Sequence, residues 1–424
     1  MRRFHFRLAE ENRTFTFSAD ARGRHEYSLA KRCGLQEREY AGEWRSRSLE
    51  VGTAKELARE LNLRDWPPRR AGPFERLYGG ALLLETRLAL ENFLERLGCS
   101  HWRIVFRARS TERAVVRSGG HKVAAVYGRL NHFSVGVSAR PKGVDGELET
   151  SEGSTAGFRF NLDGLCQRLA EMTDNSRRCV PFKGTQVLPV VLAPGEGGIF
   201  FHEILGHSLE ADHVHAGLSP FGPQDLGRAV TAPSLSVVTR DGRDRFFQDC
   251  PADDEGETPH SPLLVENGML RQFISDSFHR RLLSLGSAGH ARTEDFTRVP
   301  QPRMFALYVQ PGSSDADEII ASTGCGVYAR EFGAGRVDFD KDFFYFHISD
   351  SSLIDNGRLV QPLGPLLVSG SIRRVMAAVE MVGNDFRYDR GVSHCTKNGQ
   401  VILVRVGQPT VKIAALTVSE GVDA

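Results

Sequence analysis

Four turn sequences constrain the fold of this chain more than any other feature. Between residues 234 and 424, segments of alternating apolar and polar residues are joined by Asp-Gly or Asn-Gly pairs, in RDGR, ENGM, DNGR and KNGQ. Asn or Asp followed by Gly readily adopts the positive φ angles of a two-residue hairpin turn. Because such a turn joins neighbouring antiparallel strands, this region is predicted to be mostly antiparallel β-structure.

The region before it mixes helical and strand patterns. Apolar residues recur at helical spacing in ALLLETRLALENFLERLG and in DGLCQRLAEMTD, where Asp163 is a plausible N-cap. A meander of four short antiparallel strands is predicted at 102–109, 112–117, 122–127 and 130–139. The polar GELETSEGSTAG predicts a loop, AKELARELNL a short helix, and the proline-rich DWPPRRAGP a linker or lid.

The pattern changes near residue 186. QVLPVVLAP predicts a buried strand, PGEGG leads into a helix, and VILVRVGQPTVKIAALTV predicts two final strands. The predicted fold class is α+β, with an N-terminal α/β domain that contains the antiparallel meander (1–185). A C-terminal, mostly antiparallel β domain (186–424) carries the helix. A length of 424 residues agrees with two or three domains.

Charge and cysteine content exclude several classes of protein. The net charge of +1 gives no reason to expect nucleic acid or an anionic membrane as partner. No segment approaches the roughly 18 to 20 apolar residues of a membrane span, and MRRFHFRL lacks the apolar run of a signal peptide. The seven cysteines are odd in number, scattered and without a CxxC pair, which predicts a reducing, cytoplasmic setting.

The segment HEILGH carries two histidines at an unusual spacing. In the zinc-binding HExxH helix, the histidines are four residues apart and share one face. Here His202 and His207 are five apart, so a regular helix would separate them by about 140°. A one-residue π-bulge would restore the shared face, and such bulges are frequent at functional sites. Gly206 permits the close approach and local distortion that a bulge requires.

The preceding residues, GGIFF, place the start of this helix in the core. Burying His202 there is costly without a partner, and zinc would be such a partner, with the carboxylate of Glu203 placed to poise a water. A pair of core histidines beside a surface glutamate is the structural alternative. His213 and His215, at strand spacing, are an alternative pair of ligands.

A catalytic zinc site usually has three protein ligands and one open position. Cys395 is a candidate for the third ligand because RGVSHCTKNGQ predicts a polar loop between strands, where a structural thiol would be unexpected. Three other cysteines adjoin predicted helices and are interpreted as packing residues: Cys33, Cys99 and Cys166. The roles of Cys179, Cys250 and Cys325 stay open.

Five motifs, taken in order, resemble the TldD/PmbA peptidases, specifically the metal-binding TldD side. They are HEILGHSLEAD, DDEGETPHSPLLVENGMLRQFISD, GVYAREFGAGRVDFDKDFFYF, MVGNDFRYDRGVSHCTKNGQ and VGQPTVKIAALTV. The resemblance is strong over roughly residues 186–424 and extends weakly back to about residue 75. The HExxxH motif is what TldE/PmbA-type partner subunits lack, so this chain resembles the metal-binding member.

The resemblance implies that His202, His207 and Cys395 bind Zn²⁺ and that Glu203 is the general base. It implies a cytoplasmic, zinc-dependent metallopeptidase that hydrolyses unfolded or small peptides through a metal-activated water. It also implies a homodimer, or a heterodimer with a TldE/PmbA-type subunit. The N-terminal α/β and C-terminal β-rich parts of the family agree with the fold predicted above.

This chain departs from the family pattern at several positions. Ser393-His394-Cys395 replaces a Gly-x-Thr-Cys type sequence, Ala211 replaces the Gly of an EGD sequence, and the first 75 residues are divergent. His394 is therefore interpreted either as a residue that tunes the metal or as a solvated loop residue. The departures leave open a peptide-tailoring or maturation hydrolase of a biosynthetic pathway, or a non-catalytic TldD-like subunit of a hetero-oligomer.

Acidic residues near the motif are further candidates. Glu210 and Asp212 are candidates for orienting His207 by hydrogen bonding. The run Asp253-Asp254-Glu255 is interpreted either as a solvated turn or, by its position in the family, as part of the active-site surroundings.

Overall fold

Long antiparallel strands and two helices form the first layer of the protein. The computed structural model describes residues 4–40, 44–51, 81–119, 122–155, 157–240, 246–258 and 263–421. Its first strands are Phe4–Asp20 (β1), His25–Tyr40 (β2), Trp44–Val51 (β3), Cys99–Gly119 (β4), Lys122–Pro141 (β5) and Leu148–Ser154 (β6). These described strands form one antiparallel sheet in the order β3-β2-β1-β4-β5-β6. Two helices, Ala81–Arg96 (α1) and Leu162–Arg178 (α2), pack on this sheet.

Alternating apolar side chains of the sheet pack against the helices. Phe158 lies at the centre of this core, with its ring 6.0 Å from that of Phe106 and 5.3 Å from that of Phe133. The surrounding core residues come from α1, β4, β5 and α2: Leu90, Leu94, Ile104, Val135, Leu165 and Leu169. The period-two burial of β4 and β5 follows from the alternation that predicted strands here.

The meander is longer than the sequence predicts. The four predicted short strands are two long ones, β4 and β5, which pair from Cys99↔Pro141 to Gly119↔Lys122. Ser110 and Thr111 resemble a turn in sequence but are buried within β4, where the Ser110 hydroxyl donates to Asn131. The predicted loop GELETSEGSTAG contains strand β6, because pairing with β5 satisfies its backbone.

The two predicted helices of this layer are confirmed, with one correction at an N-terminus. The side chain of Asn161 accepts the hydrogen bond from the N–H of Gly164 and caps α2, so the prediction that Asp163 is the cap is wrong. Asp163 lies in the first turn instead, where its charge favours the helix dipole. The predicted helix at 54–63 and the linker at 65–73 lie outside the described residues.

The C-terminal part consists mainly of short strands. In chain order they are Thr185–Leu192 (β7), Val237–Val238 (β8), Leu263–Glu266 (β9), Met269–Leu270 (β10), Ala291–Arg292 (β11), Gln301–Pro302 (β12), Ala306–Val309 (β13), Cys325–Asp338 (β14), Phe343–Asp355 (β15), Arg358–Leu363 (β16), Leu366–Gly370 (β17), Val379–Val382 (β18), Arg387–Tyr388 (β19), His394–Lys397 (β20), Gln400–Leu403 (β21), Arg405–Gln408 (β22) and Val411–Glu420 (β23). The last region therefore contains three strands, β21 to β23, where two were predicted.

Five helices accompany these strands among the residues that the structure describes in this part. Their bounds are Gly198–Phe201 (α3), Ala211–His215 (α4), Ser277–Leu282 (α5), Ala316–Ala321 (α6) and Ile372–Ala377 (α7). A π-helical turn, His202–Gly206, and a 3₁₀ turn, His207–Leu209, lie between α3 and α4, and a further 3₁₀ turn covers Pro223–Asp225. Among the described residues, no helix combines the length and apolar character needed to span a bilayer.

Two larger sheets organise this part. In one, strand pairings run β14–β7–β23–β17–β15 and return to β14, so five described strands close into a ring, with β16 and β18 at its sides. The other has the order β10-β9-β8-β13-β22-β19, and β20 and β21 form a separate hairpin. The α+β class, with a β-rich C-terminal part, is confirmed.

The predicted Asn-Gly turns are present. Asn267, Asn356 and Asn398 all have positive φ angles near 50°, and the glycine after each is also at positive φ. This is the geometry of a two-residue hairpin turn, in which glycine is favoured because it has no Cβ. The fourth predicted turn, RDGR, lies largely outside the described residues.

A buried ionic cluster joins the N-terminal sheet to the C-terminal part. Arg113 on β4 lies 2.8 Å from Glu10 and 2.6 Å from Asp254, and Arg38 on β2 lies 2.9 Å from Glu255. The Asp254 carboxylate also accepts a hydrogen bond from the N–H of Thr293. The acidic run at 253–255 is therefore not a solvated turn, because its carboxylates pair with the partly buried Arg113 and the buried Arg38 and satisfy backbone donors.

Candidate metal centre

The HEILGH segment forms an irregular helix. After α3, the backbone widens into the π-turn, in which the N–H of His207 donates to the carbonyl of His202, five residues back. The additional residue in this turn rotates the second histidine onto the face of the first. Their ring centroids are 5.0 Å apart, and the ring planes are inclined by 81°. The predicted irregularity around Gly206 is confirmed.

Packing explains both the position of this helix and its glycine. Phe200, two residues before His202, has its ring centroid 5.4 Å and 5.8 Å from those of Phe344 and Phe346, which anchors the helix in the core of the ring-shaped sheet. A Cβ at position 206 would lie 2.2 Å from Sδ of Met304 and 2.8 Å from Cδ1 of Leu307. Glycine is therefore required here for close approach, while its φ of −57° is ordinary for a helix.

Cys395 meets the two histidines from a distant part of the chain. It lies on strand β20, where residues alternate between exposed and buried, and is itself 2% exposed. Its Sγ is 3.2 Å from Nε2 of His207. Ligand atoms of His202, His207 and Cys395 all lie within 4.8 Å of one another. The prediction of a polar loop around Cys395 is wrong, because this side of the strand faces the core.

Electrostatics favour a thiolate in this cluster. Burial raises the pKa of the Cys395 thiol, but the neighbouring imidazoles of His207 and His202 outweigh it and hold the pKa well below its usual range. Burial likewise acts to lower the pKa of His207, yet the carboxylate of Glu210 and the Cys395 thiolate raise the pKa well above its usual value. The site is thus a thiolate beside the charged imidazole of His207, an arrangement in which a divalent cation can replace protons.

Glu203 lies beside the three donors with access to solvent. Its carboxylate oxygens are 4.0 Å from Nε2 of His202 and 3.9 Å from Nε2 of His207. The side chain is 31% exposed, whereas those of His202 and His207 are buried. Glu203 therefore stands where a molecule entering from solvent would first meet the cluster.

Glu210 orients His207 from behind. Its Oε2 accepts a hydrogen bond from Nδ1 of His207 at 2.8 Å, which leaves Nε2 directed towards Cys395. Burial acts to raise the pKa of Glu210, but the charges of His207 and Lys397 hold it well below its usual range. Lys397 lies 2.8 Å from both Glu210 and Asp212. Asp212 is thus linked to His207 through Lys397 and Glu210, so of the two predicted orienting residues Glu210 is the one in contact with His207.

Sequence reasoning missed Lys397. The signal that could have identified it is its spacing, since a residue two positions after Cys395 on a strand points to the same face. Lys397 is also the first residue of the KNGQ turn motif, which predicts a hairpin and gives no indication of a buried ammonium.

The remaining histidine candidates lie outside the donor trio. Nδ1 of His213 donates to the carbonyl of His207, and the ring of His215 lies 6.0 Å from that of His279, so these two do not act as a pair. His394 precedes Cys395 and points to the opposite, exposed face of β20, with its ring 6.1 Å from that of His132. The side chain of His394 therefore points away from the Cys395 thiol.

The residues present fit a zinc ion. Both ring nitrogens of His202 are buried without a hydrogen-bond partner among the described residues, which is costly for imidazole in a core. Two imidazoles and one thiolate are the borderline-soft donors that zinc prefers, and three such ligands leave a fourth position open. His202, His207 and Cys395 are therefore the residues that could hold the metal.

Comparisons with known proteins agree with these features. The family model for the PmbA/TldA metallopeptidase C-terminal domain matches residues 185–420. The metalloprotease TldD homolog of Buchnera aphidicola is 38% identical over 231 residues, 54% of this chain and 47% of the relative. The zinc metalloprotease TldD homolog of Saccharolobus solfataricus is 27% identical over 297 residues, 69% of this chain and 65% of the relative. The chain thus spans about half to two thirds of the length of these relatives.

A solved structure shares the whole fold. The crystal structure of TldE from Thermococcus kodakarensis superimposes with a TM-score of 0.75, covering 98% of this chain and 96% of that one. At 13% identity this likeness shows the fold alone. Because the family model covers more than half of the sequence and the motif residues converge, the chain belongs to the TldD/PmbA family.

Proposed function

We propose that the protein is a zinc-dependent peptidase in which His202, His207 and Cys395 bind the metal and Glu203 is the catalytic base. The observation that carries this proposal is that the three donor atoms lie within 4.8 Å of one another. The carboxylate of Glu203 lies 4.0 Å from Nε2 of His202 and 3.9 Å from Nε2 of His207. The metallopeptidase names of the family and of its relatives support the same reaction class.

The residues of the site divide the work of hydrolysis. A bound zinc ion supplies Lewis acidity, which polarises a carbonyl and lowers the pKa of a water to about 7. Glu203 is placed to take a proton from the attacking water and to return it to the leaving amine nitrogen. Glu210 holds the Nδ1–H of His207 and so fixes the direction of the opposite ring nitrogen.

The proposed substrate is an unfolded or small peptide. Of the four site side chains, only Glu203 is appreciably exposed, so a scissile carbonyl has to approach from its side. A flexible chain can bring a carbonyl into such a recess, whereas the backbone of a folded protein is already engaged in its own hydrogen bonds. A hydrolase that matures one particular peptide would use the same centre, and a digest of mixed unfolded peptides would distinguish the two.

Substitution of Glu203 tests this function. Glu203→Gln keeps the shape of the side chain and removes the base, so we expect one zinc per chain and a kcat lowered about 10²- to 10⁴-fold on unfolded peptides. The matched control is Glu266→Gln, because Glu266 is an exposed glutamate paired with Arg271 and not part of the donor cluster. Equal cleavage by Glu203→Gln and wild type would refute the role of Glu203 as the base. Wild-type protein that binds metal but cleaves no peptide would favour a non-catalytic subunit.

Further features of the protein are proposed on the same basis. We propose a dimer, either of two copies of this chain or of this chain with a TldE/PmbA-type subunit. We also propose two domains, residues 1–185 and residues 186–424. The family match that begins at residue 185 supports this division. We also propose a cytoplasmic location, since none of the seven cysteines, all in described residues, forms a disulfide.

A further inference from the structure

The ammonium of Lys397 is buried behind the metal centre. Its side chain is 5% exposed, and Nζ donates at 2.8 Å to Glu210, at 2.8 Å to Asp212 and at 3.1 Å to the carbonyl of Pro302. A buried ammonium is costly unless paired, and here all three of its protons have acceptors. This complete set of partners fixes the position of Nζ.

Lys397 and His207 share one oxygen of Glu210. Oε2 accepts from Nδ1 of His207 and from Nζ of Lys397, each at 2.8 Å, whereas Oε1 is buried without a partner among the described residues. Nothing described on the Oε1 side therefore holds the carboxylate in place. The orientation of Glu210 against His207 depends on the ammonium.

The same lysine ties two elements of the site together. Lys397 and Cys395 are two residues apart on β20 and so point to the same face, towards the HEILGH helix. Cys395 meets His207 at 3.2 Å, while Lys397 meets Glu210 and Asp212, which follow His207 in the chain. The strand and the helix are thus joined by two contacts about 7 Å apart along the strand.

Lys397 also occupies a position that would suit a cation. Ligand atoms of Glu210, Asp212 and His213 lie within 4.8 Å of one another. Nζ of Lys397 already contacts the first two of these residues. The ammonium of Lys397 therefore takes the place of a free cation beside these carboxylates, and Glu210 contacts His207 at the same time.

From these contacts we propose that Lys397 is a positioning residue of the metal centre. It holds Oε2 of Glu210 against Nδ1 of His207, and holds β20 so that Sγ of Cys395 faces Nε2 of His207. The proposal rests on the proposed function only in that the donor trio binds a metal. It does not require that peptides are cleaved.

Metal affinity tests this role apart from activity. Lys397→Met removes the ammonium and keeps the length of the side chain, so we expect Zn²⁺ affinity, measured by competition with a chromophoric chelator, to fall about 10- to 100-fold. With Co²⁺ as probe, the thiolate-to-cobalt absorption of the variant should be weaker or shifted. Lys412→Met is the matched control, because Lys412 is equally buried but pairs with Ser322 and Glu380. Its metal affinity should remain that of wild type.

Chemical rescue separates positioning from folding. If Lys397→Met does not fold, Lys397→Ala in ethylammonium chloride should regain metal affinity, while sodium chloride at equal ionic strength should not restore it. Wild-type affinity in Lys397→Met, or an unrescued Lys397→Ala, would overturn the role of Lys397. Wild-type protein that binds Co²⁺ but cleaves no peptide would overturn the proposed hydrolysis and leave this role standing. Wild-type protein that binds no metal would overturn both.

Discussion

Sγ of Cys395 lies 3.2 Å from Nε2 of His207, although 188 positions separate the two residues in the chain. The hairpin that carries Cys395 is held by Arg303, which is fully buried and donates to the carbonyl of Cys395 at 2.6 Å and to that of Gln400 at 3.4 Å. One guanidinium thus contacts both strands of the hairpin. The third donor of the site is thus placed in part by a side chain that binds the backbone of its hairpin.

Removal of the thiolate should abolish tight metal binding. Cys395→Ala leaves two imidazoles, too few for a closed set of three protein ligands, so we expect well below one zinc per chain after dialysis, measured by elemental analysis. Cys325→Ala, at an exposed cysteine, is the control and should keep the wild-type content. Full zinc occupancy in Cys395→Ala would show that the third ligand lies elsewhere.

A methyl group at position 206 should destabilise the helix. Gly206→Ala places Cβ against Met304 and Leu307, both buried, and such overpacking costs about 1–3 kcal/mol. Gly324→Ala is the control, because a Cβ there meets no atom within 4 Å. We expect calorimetry to show a lower unfolding midpoint for Gly206→Ala than for Gly324→Ala. Equal midpoints would mean that the π-turn has room that the packing does not indicate.

The buried arginine cluster should be sensitive to loss of one partner. Arg113→Met leaves the carboxylates of Glu10 and Asp254 without their cation, and breaking a buried pair costs about 3–5 kcal/mol. The exposed pair of Arg24 and Asp20 offers a control, since Arg24→Met should lower the free energy of unfolding much less. Urea unfolding of the two variants measures the difference. Similar losses in both would argue against a buried junction between the sheet and the 253–255 segment.

Acid should destabilise the protein partly through His290. This histidine is fully buried, and burial lowers its pKa to about 3, so it stays neutral in the folded protein where the unfolded chain, with a pKa of about 6.5, takes up a proton. Stability from this group is complete above pH 6.5 and is lost as pH falls towards 3, by up to about 1.4 kcal/mol per pH unit. The amount by which the unfolding midpoint of wild type exceeds that of His290→Gln should therefore decrease as the pH falls from 7 to 5. Parallel curves of unfolding midpoint against pH for wild type and His290→Gln would contradict the prediction.

Local signals explain what the sequence predicted correctly. The Asn-Gly turns at 267, 356 and 398, helix α1 and the irregular turn at HEILGH all depend on conformational preferences within a few residues. A two-residue turn needs positive φ wherever it occurs, and five-residue spacing of buried histidines needs an additional residue in the turn. Such features can be predicted from the sequence because the residues that cause them lie in the same short segment as the features themselves.

The errors share a different cause. Ser110 and Thr111 signal a turn, and Cys395 signals a polar loop, yet all three are buried in strands because distant segments cover them. The spacing of Lys397 shows only that it shares a face with Cys395, since its partners follow His207 in the chain. Polar residues predict exposure only when nothing else in the fold can satisfy them.

The sequence by itself determined the family motifs, the hairpin turns and the helix that carries His202 and His207. Tertiary structure alone decided that Cys395 faces this helix, that Lys397 supports Glu210, and that Arg113 neutralises Asp254. The physical reason is the distance along the chain over which each effect acts. Backbone preferences depend on the residues of one turn, whereas the burial of a charge or a thiol depends on which distant segments pack against it.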